Sequence, residues 1–221
     1  MGALAGKVAK VKFTAASATT STGEAMTSMS GTTDRFLFRV TDGTKRHWNL
    51  DTDPTVYVLT TAHTDFAINY VQGKVTFGTA LTTAQGDAVT VDARYHTSSY
   101  LPQTRTWSLS ASNDMLDVTT FSTTTGDAQW RTFAPGLSGA TVDLGRIVNG
   151  GTTATPIFFD RLVTDTPLVI DLVAQPSGGT TWHFEAYARV SGDGFAAPIE
   201  ALLGESVSLQ VTGPLYFAST E

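Results

Sequence analysis

The apolar and polar side chains of this chain alternate with a period of two over most of its length, which is typical of strands with one solvated face. Residues 88–95 (AVTVDARY) show the pattern most clearly, because Val89 and Val91 alternate with Thr90 and Asp92. Further segments of this kind, separated by Gly- and Asp-containing turn signals, are RFLFRV (35–40), TVYVL (55–59), FAINYV (66–71) and GKVTF (73–77). The last two predict a hairpin with Gln72-Gly73 at its tip. No helix is predicted before residue 100.

After a polar stretch with a proline (TSSYLPQTR, 97–105), the alternation resumes and continues towards the end of the chain. The segment ATPIFFDRLVTDTP (154–167) departs from it, because its apolar residues lie near helical spacing between two prolines. It predicts one short helix. The predicted strands are RTWSLSA (105–111), MLDVTTF (115–121), GATVDLGRIV (139–148), PLVIDLVAQ (167–175), TWHFEAYARV (181–190) and ESVSLQVTG (205–213).

The two parts share no internal repeat, and only the second has a helix. We therefore predict two units in a mainly β chain. Residues 1–103 form a small all-β module, and residues 104–221 form a β-sandwich or barrel domain with one short flanking helix.

The composition is that of a folded chain, with 221 residues of which 41% are hydrophobic. No apolar run approaches the roughly 20 residues of a membrane-spanning helix. The N-terminal MGALAGKVAKVKF lacks the apolar region and cleavage site of a signal peptide, so we expect no export. Cysteine is absent, which excludes disulfides and thiolate metal sites. Only 15% of residues are charged, and a surface rich in Thr and Ser suits contact between copies.

Charge is distributed unevenly along the chain. Residues 1–103 contain nine Lys/Arg and eight Asp/Glu, whereas residues 104–221 contain five and twelve. A basic face is needed to neutralise phosphates, so the acidic second part argues against a protein that grips nucleic acid. It is compatible with a surface past which nucleic acid moves without binding.

Residues that could support catalysis or bind metal are scattered. No HExxH, GxSxG or P-loop motif occurs. His63 and Asp65 lie on the same side of a predicted strand and could form an acid–base pair, although two polar residues at a strand entrance are the simpler interpretation. Asp51 and Asp53 could ligate a hard cation, whereas an Asp-Pro turn accounts for the same residues. We expect no catalytic residues, no metal and no cofactor.

Residues 108–145 contain a series of motifs in a recognisable order: a Ser-rich strand, D-V-T-x-F, an Asp- and Gly-containing loop, W-R-x-F-x-P-G-L, and a strand with small residues. The last predicted strand adds V-S-x-Q-x-T-G-P-L. Over residues 104–218 the chain resembles the major tail tube proteins of long, non-contractile-tailed bacteriophages. FAINYVQGKVTF in the first part resembles an extra β module of some of these proteins, and the insert STTTGDA (122–128) is longer than the family pattern. The matching residues are Asp117, Val118, Thr119, Phe121, Trp130, Arg131, Phe133, Pro135, Gly136, Leu137, Val207, Ser208, Gln210, Thr212, Gly213, Pro214 and Leu215.

The resemblance implies a structural virion protein with a β-sandwich flanked by a helix. Six copies would close into a ring around a channel, and the rings would stack into a tail tube through which DNA is ejected without specific binding. Closing a ring also removes exposed sheet edges. The implied partners are further copies, a tape measure protein, and tail terminator and distal tail proteins. The implied location is the phage tail, after synthesis in the host bacterial cytoplasm, with no membrane contact.

The last two long strands have two faces, to which the resemblance gives separate functions. One face is expected to build the sandwich core, and its alternates are expected to face the lumen or a neighbouring copy. The core positions are Trp182, Phe184, Ala186, Val207, Leu209 and Val211, and the alternates are Glu185, Tyr187, Ser206, Ser208 and Gln210.

A loop over residues 117–137 is expected to reach the next ring or subunit, since aromatic residues and Arg are enriched at the centres of contacts. The alternative is that Trp130 and Phe133 tuck under their own domain. The expected contact residues are Asp117, Phe121, Trp130, Arg131, Phe133 and Leu137.

Negative charge in the channel would repel DNA phosphates, and the candidate lining carboxylates are Asp117, Asp143, Asp171 and Glu185. The alternative is that these residues only keep the protein soluble.

Two other functions fit the sequence. One is an adhesin-like module that presents Trp48, Tyr57 and Tyr70 to a carbohydrate. The other is a tube subunit of a related contractile injection system.

Overall fold

The computed structural model describes residues 6–14, 17–30, 35–117, 133–148, 157–176, 180–196 and 203–220, and most of these residues lie in two antiparallel seven-stranded sheets. The prediction of a mainly β chain is confirmed. The helices are α1 (Thr83–Gly86) and α2 (Ile157–Thr164), and a 3-10 turn spans Gly43–Lys45. The strands are β1 (Gly6–Thr14), β2 (Thr19–Ser28), β3 (Arg35–Val40), β4 (Thr55–Val58), β5 (Thr61–His63), β6 (Phe66–Asn69), β7 (Lys74–Leu81), β8 (Val89–Tyr95), β9 (Ser98–Tyr100), β10 (Thr104–Asp117), β11 (Phe133–Val148), β12 (Leu168–Pro176), β13 (Thr181–Ala196) and β14 (Leu203–Thr220).

The first sheet has the order β5-β4-β8-β2-β3-β7-β6 and is made only of residues from the first part of the chain. In β8 the predicted alternation is confirmed, because Val89, Val91 and Ala93 are buried. They pack with the other apolar residues of this sheet around Trp48 and Phe38, which are almost fully buried. The β6–β7 hairpin is also confirmed. Its Gly73 has a φ of 59°, and a Cβ there would lie 2.8 Å from the backbone of Arg46.

The prediction that no helix precedes residue 100 is wrong, because α1 forms a single turn after β7. A capping box holds this turn: the Thr82 hydroxyl accepts from the Gln85 backbone N–H, and the Gln85 side chain accepts from the Thr82 backbone N–H. Two reciprocal bonds satisfy donors that so short a helix would otherwise leave unpaired.

The second sheet has the order β10-β11-β14-β13-β12-β1-β9 and includes two strands from the first part of the chain. β1 pairs along β12, and β9 pairs with the end of β1. Val11 and Phe13 of β1 thereby enter the core of the second sheet. The division into units at residues 103 and 104 stays a prediction, but the sheets themselves do not separate there.

Residues 105–111 and 115–121 were predicted as two strands, but the first of them and residues 115–117 belong to one continuous strand, β10. A register shift between Asn113 and Met115 lets β10 continue along β11 through the polar residues that suggested a break. Residues 118–121 lie outside the described residues.

The second sheet curls around one apolar core, to which α2 contributes the fully buried Phe158. Arg161 fastens α2 in place, because its guanidinium donates to the carbonyls of Thr14 and Pro167, each at 3.1 Å. The predicted helix is confirmed. Among the described residues, no helix is long and apolar enough to span a bilayer.

Three of the predicted core residues, Ala186, Val207 and Leu209, are buried, and Phe184 and Val211 pack against the same core while partly exposed. Trp182 was also predicted in the core but is 41% exposed. The backbone of Trp182 pairs with Ser219 at the end of the sheet, where no described residue covers the Trp182 ring.

Candidate functional site

β10 and β11 extend beyond the rest of the second sheet as a two-stranded arm, formed by residues 111–117 and 133–140. β11 pairs with β14 only from Thr141 onwards, whereas its pairing with β10 continues to Phe133. A two-stranded ribbon is marginally stable by itself in water. The arm also exposes three large apolar side chains, those of Met115 (63%), Leu116 (58%) and Leu137 (82%). Both features are typical of a segment that docks on another surface.

The expected contact residues lie on the arm or, in the sequence, between its two strands. Asp117 and Phe133 pair with each other at the end of the arm, and Leu137 lies on β11. Phe121, Trp130 and Arg131 lie outside the described residues. The expectation that these six residues contact another copy stays a prediction.

The outer side of β10, β11 and β14 forms an open polar face. In register across the three strands, Asp143 lies between Ser108 and Ser208, and Thr141 lies between Ser110 and Gln210. Val142, Leu144, Val207 and Leu209 alternate with these residues and are buried in the core. The nine positions of the open polar face are Thr106, Ser108, Ser110, Thr141, Asp143, Gly145, Ser206, Ser208 and Gln210.

Asp143 is the single charged residue among these nine positions. The Ser208 hydroxyl donates to its carboxylate at 2.7 Å, and the Gln210 amide donates to the Ala140 carbonyl at 2.9 Å. The exposed placement agrees with the expectation for Ser206, Ser208 and Gln210 as alternates of the core positions. The face thus presents hydroxyl, amide and carboxylate oxygens to solvent.

The outer side of β12 and β13 is covered instead of open. Asp171 and Glu185 pair across these strands and were candidates for lining a channel, yet they are 1% and 2% exposed. Segments from the first part of the chain lie over them. This placement corrects the expectation that Glu185 and Tyr187 face a lumen or another copy, since both are buried within the same molecule.

Basic side chains from several elements surround the two buried carboxylates. Arg46 forms an ion pair with Glu185 and lies 3.6 Å from the Asp171 carboxylate. Lys12 contacts Asp171 at 3.1 Å, and His183 contacts it at 2.9 Å. A buried carboxylate is strongly destabilising unless it is paired, so this network determines which segment can cover β12 and β13. We call these residues the buried acid network; they are Asp171, Glu185, Arg46, Lys12 and His183.

The segment Arg46–Trp48 joins the two sheets. The Tyr187 hydroxyl donates to the Trp48 carbonyl. The ring of His47 is buried, and its Nδ1 lies 2.7 Å from the Val71 carbonyl, so the neutral ring carries its proton on Nδ1. Burial, helped by the neighbouring Arg46 charge, lowers the pKa of His47 to about 4. His47 is therefore neutral at pH 7, and its contribution to stability is lost as pH falls from 6.5 towards 4.

A second buried charged cluster lies at the other end of the second sheet. Arg146 and Glu205 pair there, and the Arg146 guanidinium lies 5.7 Å from the ring centroid of Phe158 on α2. Both carboxylate oxygens of Asp193 are buried nearby without a hydrogen-bond partner among the described residues. Burial, and next the negative charge of Glu205, raise the pKa of Asp193 to about 6.

The other candidate residues have ordinary structural partners. The ring of His63 packs edge-on against Phe77, and its Nδ1 accepts from the Asp65 backbone N–H at 3.3 Å. Asp53 accepts from the Tyr70 hydroxyl, and the Asp51 backbone N–H donates to the Asn49 side chain at 2.6 Å. Within the described ranges, no group of three His, Cys, Asp or Glu residues could hold a metal ion.

Trp48, one of the three aromatic residues considered for carbohydrate binding, is 1% exposed. It belongs to the core of the first sheet, where Val56 and Val91 also lie. A fully buried ring cannot stack on a sugar, so this residue is not available for that function.

No protein-family model matches the chain, and no curated protein matches it. Among solved structures, it is similar to a chain of the virion of a native gene transfer agent particle, with a TM-score of 0.45 and 13% identity over 54% of this chain and 88% of that chain. It is similar to the SPP1 tail tube, with a TM-score of 0.42 and 14% identity over 56% of this chain and 69% of that chain. It is also similar to a chain of the anti-feeding prophage baseplate, with a TM-score of 0.35 and 14% identity over 55% of this chain and 83% of that chain. These low scores support no inference about activity or partners.

We expect Arg46→Ala to lower the free energy of unfolding by about 2–3 kcal/mol, because it leaves Asp171 and Glu185 buried with one cation fewer. Urea denaturation of the purified protein measures this loss. Arg39→Ala is the matched control, since Arg39 is exposed on β3 and a surface change of this kind costs about 0.5 kcal/mol or less. Equal losses in the two variants would contradict the importance of the buried acid network.

Asp193→Asn is expected to raise stability by about 1–2 kcal/mol at pH 8 and to leave it unchanged at pH 4. The folded-state pKa of Asp193 is raised, so the folded protein binds more protons than the unfolded chain between about pH 4 and 6. Stability from this group therefore falls as pH rises through that range. Urea denaturation at several pH values, with the exposed Asp114→Asn as control, measures the difference. A gain at pH 4 equal to that at pH 8 would show that ionisation is not the cause.

Proposed function

We propose that this chain is a subunit of a bacteriophage tail tube, in which six copies close into a ring and the rings stack around a channel for DNA. The observation that carries the proposal is the open polar face of β10, β11 and β14. A sheet with one apolar side in the core and an exposed side of hydroxyls and one carboxylate is suited to the wall of a water-filled channel.

The chemistry of the open polar face favours passage of DNA over binding. Asp143 repels phosphates, and the surrounding Ser and Thr hydroxyls carry no charge that could hold them. Arg189, which lies opposite Gln210 in register, is paired with Asp165 at 2.5 Å. One Asp143 from each copy would form a ring of negative charge around the channel.

The buried acid network supports a particular orientation of the subunit. Because the first sheet covers β12 and β13 through Arg46, that side of the second sheet cannot line a channel in the same molecule. The open polar face then points inwards, and the first sheet lies outside the tube wall. The candidate lining carboxylates reduce to Asp143 and Asp117, which are both exposed.

The arm supports assembly by contact between copies. It exposes apolar side chains on a ribbon that needs a neighbour for stability. The residues expected to anchor the contact, Trp130 and Arg131 among them, lie between the two strands of this arm in the sequence. The further partners implied by the sequence resemblance are a tape measure protein, tail terminator and distal tail proteins, and the location is the virion tail.

Electron microscopy of the concentrated protein tests the proposal, and gold labelling tests the orientation. The chain has no cysteine, so Asp143→Cys and Thr60→Cys each supply one unique labelling site. Labelled copies of each variant are assembled with an excess of unlabelled protein. We expect hollow filaments, with gold along the axis for Asp143→Cys and along both outer margins for Thr60→Cys. Gold at the margins in both cases would refute the orientation, and a lack of filaments or rings would refute the tube function.

Trp130→Ala is expected to fold normally and to lose filament formation, because it removes the largest anchor of the proposed contact. Circular dichroism and urea denaturation report folding, and sedimentation reports assembly. Phe36→Ala is the control, since it removes an aromatic side chain that is 42% exposed on the first sheet. If Trp130 packed under its own domain, the variant would instead lose several kcal/mol of stability.

A further inference from the structure

The described part of the arm is acidic and carries exposed apolar side chains. It carries two carboxylates, those of Asp114 and Asp117, and no Lys or Arg among residues 111–117 and 133–140. Between these two acids lie the exposed apolar side chains of Met115 and Leu116. A surface that binds the arm should therefore combine a cation with an exposed apolar or aromatic side chain.

A cleft between β1 and the segment before β10 has this combination. It has a volume of about 380 Å³ and is lined by Lys10, Tyr100, Leu101, Gln103 and Thr104. We call it the Lys10–Tyr100 cleft. Tyr100 is 54% exposed, and the Nζ atoms of Lys10 and Lys12 lie 5.0 and 5.3 Å from the centroid of its ring.

The two lysines of this cleft differ in their partners. Lys12 is committed to Asp171 of the buried acid network at 3.1 Å. Lys10 is exposed and forms no ion pair with the described carboxylates. Its ammonium group lies beside the ring of Tyr100 and can bind a carboxylate of another molecule.

The arm cannot reach the cleft of its own copy. The cleft includes Thr104, the first residue of β10, whereas Asp114 and Asp117 lie at the other end of the same strand. Ten extended residues separate Thr104 from Asp114 and span about 33 Å. A contact between two different surfaces of one subunit is heterologous, and repeating it without rotational closure produces an open filament.

We propose that the arm of one copy docks in the Lys10–Tyr100 cleft of a second copy in the next ring. The carboxylate of Asp114 faces Lys10, and Leu116, which lies on the same side of β10, packs against the ring of Tyr100. This contact rests on the proposed tube function and adds to it the surface that receives the arm. It joins rings along the tube, whereas contacts within a ring close the channel.

Charge reversal tests the contact. In Lys10→Glu the cleft becomes acidic, and in Asp114→Lys the side of the arm that enters the cleft becomes basic. Each variant alone then places like charges together, and we expect the protein concentration needed for filament formation to rise at least about tenfold. Arg39→Glu, which makes the same change of charge on an exposed residue of the first sheet, should assemble as the wild-type protein does.

Mixing the two variants is the decisive measurement. In an equimolar mixture, the acidic arm of Lys10→Glu meets an unchanged cleft, and the basic arm of Asp114→Lys meets an acidic one. We therefore expect filaments from the mixture at concentrations where neither variant assembles alone. Circular dichroism of each variant shows that both are folded, so that a loss of assembly cannot come from unfolding.

The outcomes separate this contact from the proposed function. Wild-type filaments together with unaffected Lys10→Glu filaments, or a mixture that stays unassembled, would overturn the arm–cleft contact and leave the tube function standing. No assembly of the wild-type protein would overturn the tube function and this contact with it.

Cross-linking gives an independent test in the same cysteine-free chain. Leu116→Cys combined with Gln103→Cys should form disulfides between copies when assembled filaments are oxidised, giving a ladder of covalent oligomers. Leu116→Cys combined with Thr60→Cys places the second thiol on the exposed β4–β5 turn and should give no ladder. A ladder of the same intensity from both variants would contradict the proposed contact.

Discussion

Two carboxylates that cannot reach water, Asp171 and Glu185, determine how the two sheets of this chain are arranged. Burial of unpaired charge is strongly unfavourable, so these strands require cations over them. Lys12 comes from β1, and Arg46 comes from a turn of the first sheet, so two separate segments of the first part of the chain contact the same face. With that face covered, the outer side of the second sheet that remains exposed is the hydroxyl-rich surface around Asp143. The inward orientation proposed for the tube depends on this one electrostatic constraint.

The alternation of side chains was sufficient to predict the strands but not what covers each of their faces. In β8 the buried residues are the ones that the pattern selects, and α2 forms where the spacing changes to that of a helix. Period two also separates Glu185 from Phe184, yet it cannot tell whether the acidic side meets water or another part of the chain. β1 was missed altogether, although Val11 and Phe13 alternate with Lys10 and Lys12. A search for alternation in charged segments as well as in polar ones would have found it.

The alternation of side chains also predicted part of the candidate site. Alternation along β14 places Ser206, Ser208 and Gln210 on the side opposite the core. Alternation along β11 places Asp143 on the same exposed side. The arm could not be predicted, because the polar Asn113 and Asp114 interrupt the apolar pattern and suggested a loop. The hydrogen-bonded ladder with β11 nevertheless continues through them. Both faces of this part of β10 are exposed to solvent, so its sequence needs no apolar side and gives no alternating pattern. The Lys10–Tyr100 cleft brings together residues about 90 positions apart, which only the pairing of β1 with β9 reveals.

β10 carries the open polar face near its beginning and the arm near its end, and this has an evolutionary consequence. Inserting one residue between them would turn every later side chain to the opposite side of the ribbon, so that Met115 and Leu116 would each change face. Inserting two would keep all orientations and lengthen the strand by about 7 Å. A β-bulge can absorb a single extra residue, as the register shift between Asn113 and Met115 does. The reach of the arm can therefore diverge among descendants of this sequence either in pairs of residues or together with a new bulge.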